Sequence, residues 1–186
     1  IIKNALTANE ASETLELLWD YLENLGTGID RTNPMTWSDD KWPTCAHGGI
    51  IPSYGTGHSE AQWFVRGVPK VKKAFAKVWG TNDLLTSFDG VSLWRPWNID
   101  PSWKTQSGQA WFHIDQHPIS KPGKQCIQGL INLLPTSKEI GGNVVIPKSH
   151  NFFKDLPQEY KERVERLPLD IDHFRFPHDD PKLSSE

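Results

Sequence analysis

Apolar side chains recur at helical spacing in two stretches of the first eighty residues and in short runs afterwards. Leu15, Leu18, Trp19, Leu22 and Leu25 fall on one face of a 3.6-residue period, which predicts a helix over 8–25. Thr7 followed by Glu10 suits a capping box at its start, and Gly26 suits its stop. Residues 27–60 are rich in Gly, Pro, Thr, Asn and Ser, so they predict ordered loops, with Trp37 and Trp42 among them. A second helix is predicted over 69–79. Pro69 fits its first turn, Val71, Phe75, Val78 and Trp79 line one face, and Gly80 follows.

From residue 84 the pattern changes to short strands, at 84–88, 91–94, 110–115, 126–134 and 143–146. Asp89-Gly90, Pro122-Gly123 and Gly141-Gly142 punctuate them as turns. A third helix is predicted from Pro157 to about Arg166, with Lys161, Glu162, Arg163, Glu165 and Arg166 as its solvated face, and a last strand over 171–176. Helices first and strands after predict a mainly β fold with flanking α-helices, a sandwich or jelly roll. The expected organisation is one domain over 1–186, helical to about residue 80 and β from about residue 84.

Composition narrows the function classes. The 186 residues include nine Trp, eight Phe and three Tyr, which need burial and argue against disorder. A net charge of -3 gives no electrostatic reason to expect nucleic acid or an anionic membrane as partner. No apolar run approaches the roughly 20 residues of a membrane-spanning helix. Cys45 and Cys126 stand far apart without a CxxC, so neither a disulfide scaffold nor a zinc knuckle is signalled. A reduced intracellular setting is the default expectation. The chain begins at Ile1, its only Met is Met35, and it stops at Glu186, which leads us to expect a fragment of a longer protein.

The segment with chemical content is Trp111-Phe112-His113-Ile114-Asp115-Gln116-His117. On a strand, His113 and Asp115 point to one face and Ile114 to the other. An imidazole and a carboxylate side by side are two thirds of a 2-His-1-carboxylate facial triad, the set that holds Fe(II) and leaves open positions opposite. Taken alone, H-x-D also fits a surface ion pair, or an Asp capping the turn toward His117-Pro118.

The surrounding blocks add weight. Phe112 to Gln116, Gln128-Gly129-Leu130-Ile131-Asn132-Leu133, and Gly141-Gly142-Asn143-Val144-Val145-Ile146-Pro147-Lys148-Ser149-His150 resemble the phytanoyl-CoA dioxygenase-like family of Fe(II)/2-oxoglutarate oxygenases. In the last block Lys148 stands where Gly is usual. Trp63-x-x-Arg66, Trp79-Gly80-Thr81 and Ser87-Phe88-Asp89-Gly90 extend the resemblance to roughly residues 58–150. It implies a double-stranded β-helix, with Fe(II) held by His113 and Asp115 and 2-oxoglutarate on the same iron. It further implies O2-driven oxidation of a small organic substrate with release of succinate and CO2. A carboxylate at Asp115 favours hydroxylation or another oxidation over halogenation, for which the family leaves a small residue there.

The third ligand of the family is a His on a late strand, with an Arg for 2-oxoglutarate after it. About six strands are predicted here, against the roughly eight of a jelly roll. We therefore expect the last strands, the third His and the Arg beyond residue 186. A degenerate site is the rival expectation, which would leave a jelly-roll binding module without catalysis. His150, His173 or His178 filling the place is a third, with His150 more usually ordering the loop over the site in this family.

Among other residues, Gln128 falls where family members often contact 2-oxoglutarate; as a sheet amide it could equally be satisfied by backbone. Gln116 and Asn132 are candidates to fix the ligands from behind. Arg66, Arg95 and Lys104 are candidate anion binders, each also a candidate for a surface pair. Trp94, Trp97 and Trp103 fit either a substrate wall or packing beneath a long loop. His47 and His58 lack the ligand spacing of a zinc site. No dinucleotide loop, P-loop or G-x-S-x-G elbow is present.

Overall fold

The computed structural model describes residues 1–104, 112–137, 140, 142–177 and 180. Predictions that fall on Trp111, Gly141 and His178 lie outside the described residues. The chain divides into two compact units, one of residues 1–105 with 131–135, the other of 106–130 with 136–186. No helix among the described residues is long and apolar enough to cross a membrane.

In the first unit, α1 spans Ala8–Asn24. The Thr7 hydroxyl accepts from the Glu10 amide and the Glu10 carboxylate accepts from the Thr7 amide at 2.7 Å, so two of the helix's orphan donors are met reciprocally. Its buried side is Thr14, Leu18 and Leu22. Helix α2, Glu60–Gly67, packs on α1, and α3 spans Pro69–Trp79. The αL residue Gly80 ends α3 with φ 76°, a backbone region open to glycine at no steric cost. Strands β1, Ile50–Ile51, and β2, Val91–Ser92, pair antiparallel with Ile50 opposite Ser92.

The core of this unit is aromatic. Leu22, Ile29 and Trp42 are buried, and Trp19, Tyr21, Leu25, Trp37, Cys45 and Leu93 pack around them. The Trp19 and Trp37 rings lie 5.1 Å apart, and Trp19 meets Trp42 edge-on at 6.4 Å, offset geometries that favour the ring quadrupoles. Arg95 closes the cluster. Its guanidinium lies 5.5 Å from the Trp42 ring and 4.6 Å from Trp103, and it donates to the Trp37 carbonyl at 2.6 Å and pairs with Asp39 at 2.5 Å. The Trp-rich loop thus serves packing at Trp103, while Trp94 and Trp97 remain 50% and 39% exposed.

In the second unit, β3, His113–Ile114, pairs antiparallel with β4, Phe174–Arg175. His113 stands opposite Arg175, and the Phe176 amide extends the ladder to the Phe112 carbonyl at 3.1 Å. The predicted third helix is two short helices, α4, Leu156–Glu159, and α5, Lys161–Glu165. The break falls at Tyr160, φ -122° and ψ 38°. There the ring packs edge-on against Phe176 at 5.4 Å and near Phe174 at 5.6 Å, and its hydroxyl donates to Asp180 at 2.6 Å. Tertiary packing of one ring overrides the local preference for a continuous helix. Burial, with the Asp180 carboxylate beside it, holds the Tyr160 hydroxyl well above the usual phenol range.

The predicted strands differ in outcome. Those at 91–94, 110–115 and 171–176 contain β2, β3 and β4, each two residues long. Segments 84–88, 126–134 and 143–146 carry no ladder among the described residues, and Leu130, Leu134, Val144 and Val145 are exposed. A strand exists only where a second backbone meets it, so an apolar run without that partner keeps its side chains in solvent.

Candidate metal-binding pair and its loop

His113 sits on β3, held by the ladder to Arg175, and Asp115 follows as the chain leaves the strand. Alternation sends Ile114 to the other side. The His113 Nε2 and the Asp115 Oδ1 stand 3.4 Å apart, with side chains 29% and 42% exposed. The pair is thus brought together, and solvent reaches it.

The carboxylate is shared. Gln128 Nε2 donates to the outer oxygen, Oδ2, at 2.9 Å, leaving Oδ1 on the imidazole side. Gln116 is not this donor: its amide turns away to the carbonyls of Lys121 and Gly123, at 2.5 and 2.6 Å. These bonds close the loop that follows the pair.

His117, a residue with no motif of its own, is the pin of that loop. It is fully buried, and its Nδ1 accepts the amides of Ile119 and Ser120, both at 3.0 Å. An accepting Nδ1 carries no proton, so the ring proton of the neutral form sits on Nε2, which meets no hydrogen-bond partner among the described residues. Ser120 Oγ donates to the Leu169 carbonyl at 3.0 Å and Lys121 pairs with Asp172, tying the far side of the loop to the segment before β4. The available signal was Pro118 after His117, which marks the turn; the imidazole's use as a turn acceptor leaves no periodic trace.

His150 is exposed in the 3-10 segment Ser149–Asp155, and His173 is exposed before β4. Among the described residues, no three His, Cys, Asp or Glu side chains group so as to hold a metal ion. In the first unit, Arg66 donates to the Gly57 carbonyl at 2.6 Å and lies 5.3 Å over Trp63, with burial lowering its pKa. Lys104 lies 4.8 Å over Trp97. The His58 ring stacks on Phe88 at 4.0 Å.

Comparison with known proteins agrees with the motifs. "Ava biosynthesis cluster protein O" of Aspergillus versicolor is 31% identical over 176 residues, 95% of this chain and 55% of that protein. "Putative phytanoyl-CoA dioxygenase" of Dictyostelium discoideum is 25% identical over 191 residues, 83% of this chain and 53% of that protein. The chain therefore spans about half the length of these curated relatives. No family model matches, and no solved structure matches. By its motif blocks and these relatives, the chain belongs with the phytanoyl-CoA dioxygenase-like family.

Proposed function

We propose that this chain carries the metal-binding part of a non-haem Fe(II)/2-oxoglutarate-dependent oxygenase, built on a jelly roll and oxidising a small organic substrate. The observation that carries the reading is the 3.4 Å approach of His113 Nε2 to Asp115 Oδ1. Two such atoms can share one ion with bonds of about 2.1 Å. An imidazole nitrogen and a carboxylate oxygen on adjacent alternate positions are the donor types of a facial triad, so the residues fit the group.

Ferrous iron with 2-oxoglutarate and O2 supplies the oxidising chemistry when bound, with succinate and CO2 as co-products. The protein's part is to hold and orient. His113 offers a ring nitrogen from a strand whose ladder fixes the backbone. Asp115 brings one negative charge, which lowers the cost of placing a dication there. The Gln116 and His117 loop keeps Asp115 from swinging with the chain that follows. The third donor, and the cation for the distal carboxylate of 2-oxoglutarate, are to be sought outside the described residues.

Anaerobic Fe(II) and 2-oxoglutarate added to the full-length protein should give a weak visible charge-transfer band, and His113→Ala and Asp115→Ala should each abolish it. No band, or a band indifferent to both substitutions, refutes the oxygenase reading. The alternative, a jelly-roll binding module without catalysis, would then take its place.

A further inference from the structure

We propose that Gln128 is a positioning residue for the metal-binding carboxylate: its amide holds one oxygen of Asp115 so that the other is offered beside the imidazole of His113. The inference rests on the metal-binding reading above and deepens it. Asp115 has two equivalent oxygens and a free torsion, and nothing in the carboxylate itself decides which oxygen faces His113. The structure breaks the symmetry. Oδ2 accepts from Gln128 Nε2 at 2.9 Å, and Oδ1 stands 3.4 Å from His113 Nε2. Gln116, the nearer amide in sequence, is committed to two backbone carbonyls and cannot substitute. A carboxylate with one oxygen already hydrogen-bonded binds an ion through the other, in one-oxygen fashion, which keeps a coordination position open for a further ligand. Without the amide, both oxygens are free to close on the ion and the torsion is lost as a constraint.

The test uses Co(II) on the full-length protein without 2-oxoglutarate, comparing the wild type with His113→Ala, Gln128→Leu and Gln128→Ala. Gln128 is exposed, so both of its variants should keep the wild-type melting midpoint. Removal of a group that orients a metal ligand typically costs about 10- to 100-fold in metal affinity. We expect that loss in both Gln128 variants, with a weaker visible Co(II) band as the coordination number rises. His113→Ala should lose binding altogether. If wild type binds and His113→Ala does not, yet both Gln128 variants match wild type in affinity and band, the positioning role is refuted and the metal pair stands. If wild type fails to bind Co(II), or His113→Ala binds it equally well, the metal reading falls and the role of Gln128 falls with it.

Discussion

Lys148 holds a backbone conformation that suits a different residue. Its φ is 64°, in the left-handed region. For a side chain with a Cβ that region costs about 1–2 kcal/mol, which glycine avoids. The position lies in the block Pro147-Lys148-Ser149-His150, where the resembling family usually has Gly, so the departure noted in the sequence coincides with a local strain in the fold. Glycine would lose about 0.5–1 kcal/mol more in unfolded-state entropy, which offsets part of the gain. Lys148→Gly is therefore expected to raise stability by about 0.5–1 kcal/mol, while Lys148→Ala, with its own Cβ, should not. Urea unfolding at unchanged m-value reads both. Equal midpoints for the two variants would mean that the backbone is not the source of strain.

At the scale of elements, α1 and α3 were legible because their signals are local. A capping box, an apolar stripe and a glycine stop all lie within one window of chain. Thr7→Ala removes the hydroxyl that meets the Glu10 amide, and should lower stability by about 1 kcal/mol, read as a shift of the thermal midpoint. Full retention of the midpoint would mean that α1 is held by packing alone. Helix α2 has only a faint local signal, because its eight residues show no long apolar stripe, although Ser59, whose hydroxyl accepts from the Gln62 backbone amide at 3.4 Å, marks its start. The strands were only half legible. Short apolar runs state that a segment can pair, and the partner is decided by chain far away in sequence. Hence 126–134 and 143–146 read like strands yet have no ladder among the described residues. The approach of His113 to Asp115 was easier to read than the sheet around it. The side-chain period of two is a property of any extended segment, so the meeting of His113 and Asp115 needed only two residues of β3 to be realised. The partner of Asp115 was not readable, because Gln128 reaches it from thirteen positions further along the chain.

For the first unit taken whole, one cation organises several anions. Arg31 bonds Glu16 and Glu23 at 2.6 Å and pairs with Asp20, three acids on one side of α1. Its backbone amide also donates to Glu23 at 2.8 Å. This joins the loop after α1 to the helix, and the same loop supports Trp37, whose Nε1 donates to the Asp30 carbonyl at 2.9 Å. The hydrogen bonds from Arg31 hold the Glu23 carboxyl below its ordinary range, and those from Thr32 do the same for Asp30. A folded-state pKa below the unfolded value means that the native state binds the proton less readily. The stabilisation is therefore present above the unfolded pKa, about 4.3 for Glu and about 3.9 for Asp, and is lost as pH falls through the lower folded value. The loop should loosen on acidification before the apolar core does, and the environment of Trp19, Trp37 and Trp42 should report it. The expected result is a difference in tryptophan-monitored urea midpoint between wild type and Arg31→Met that is widest near pH 7 and narrows below about pH 4. The network is solvent-facing, so salt should narrow it too. A difference that stays constant from pH 7 to pH 3 would show that Arg31 acts through the packing of its aliphatic stem, and that the acids on α1 do not anchor the loop.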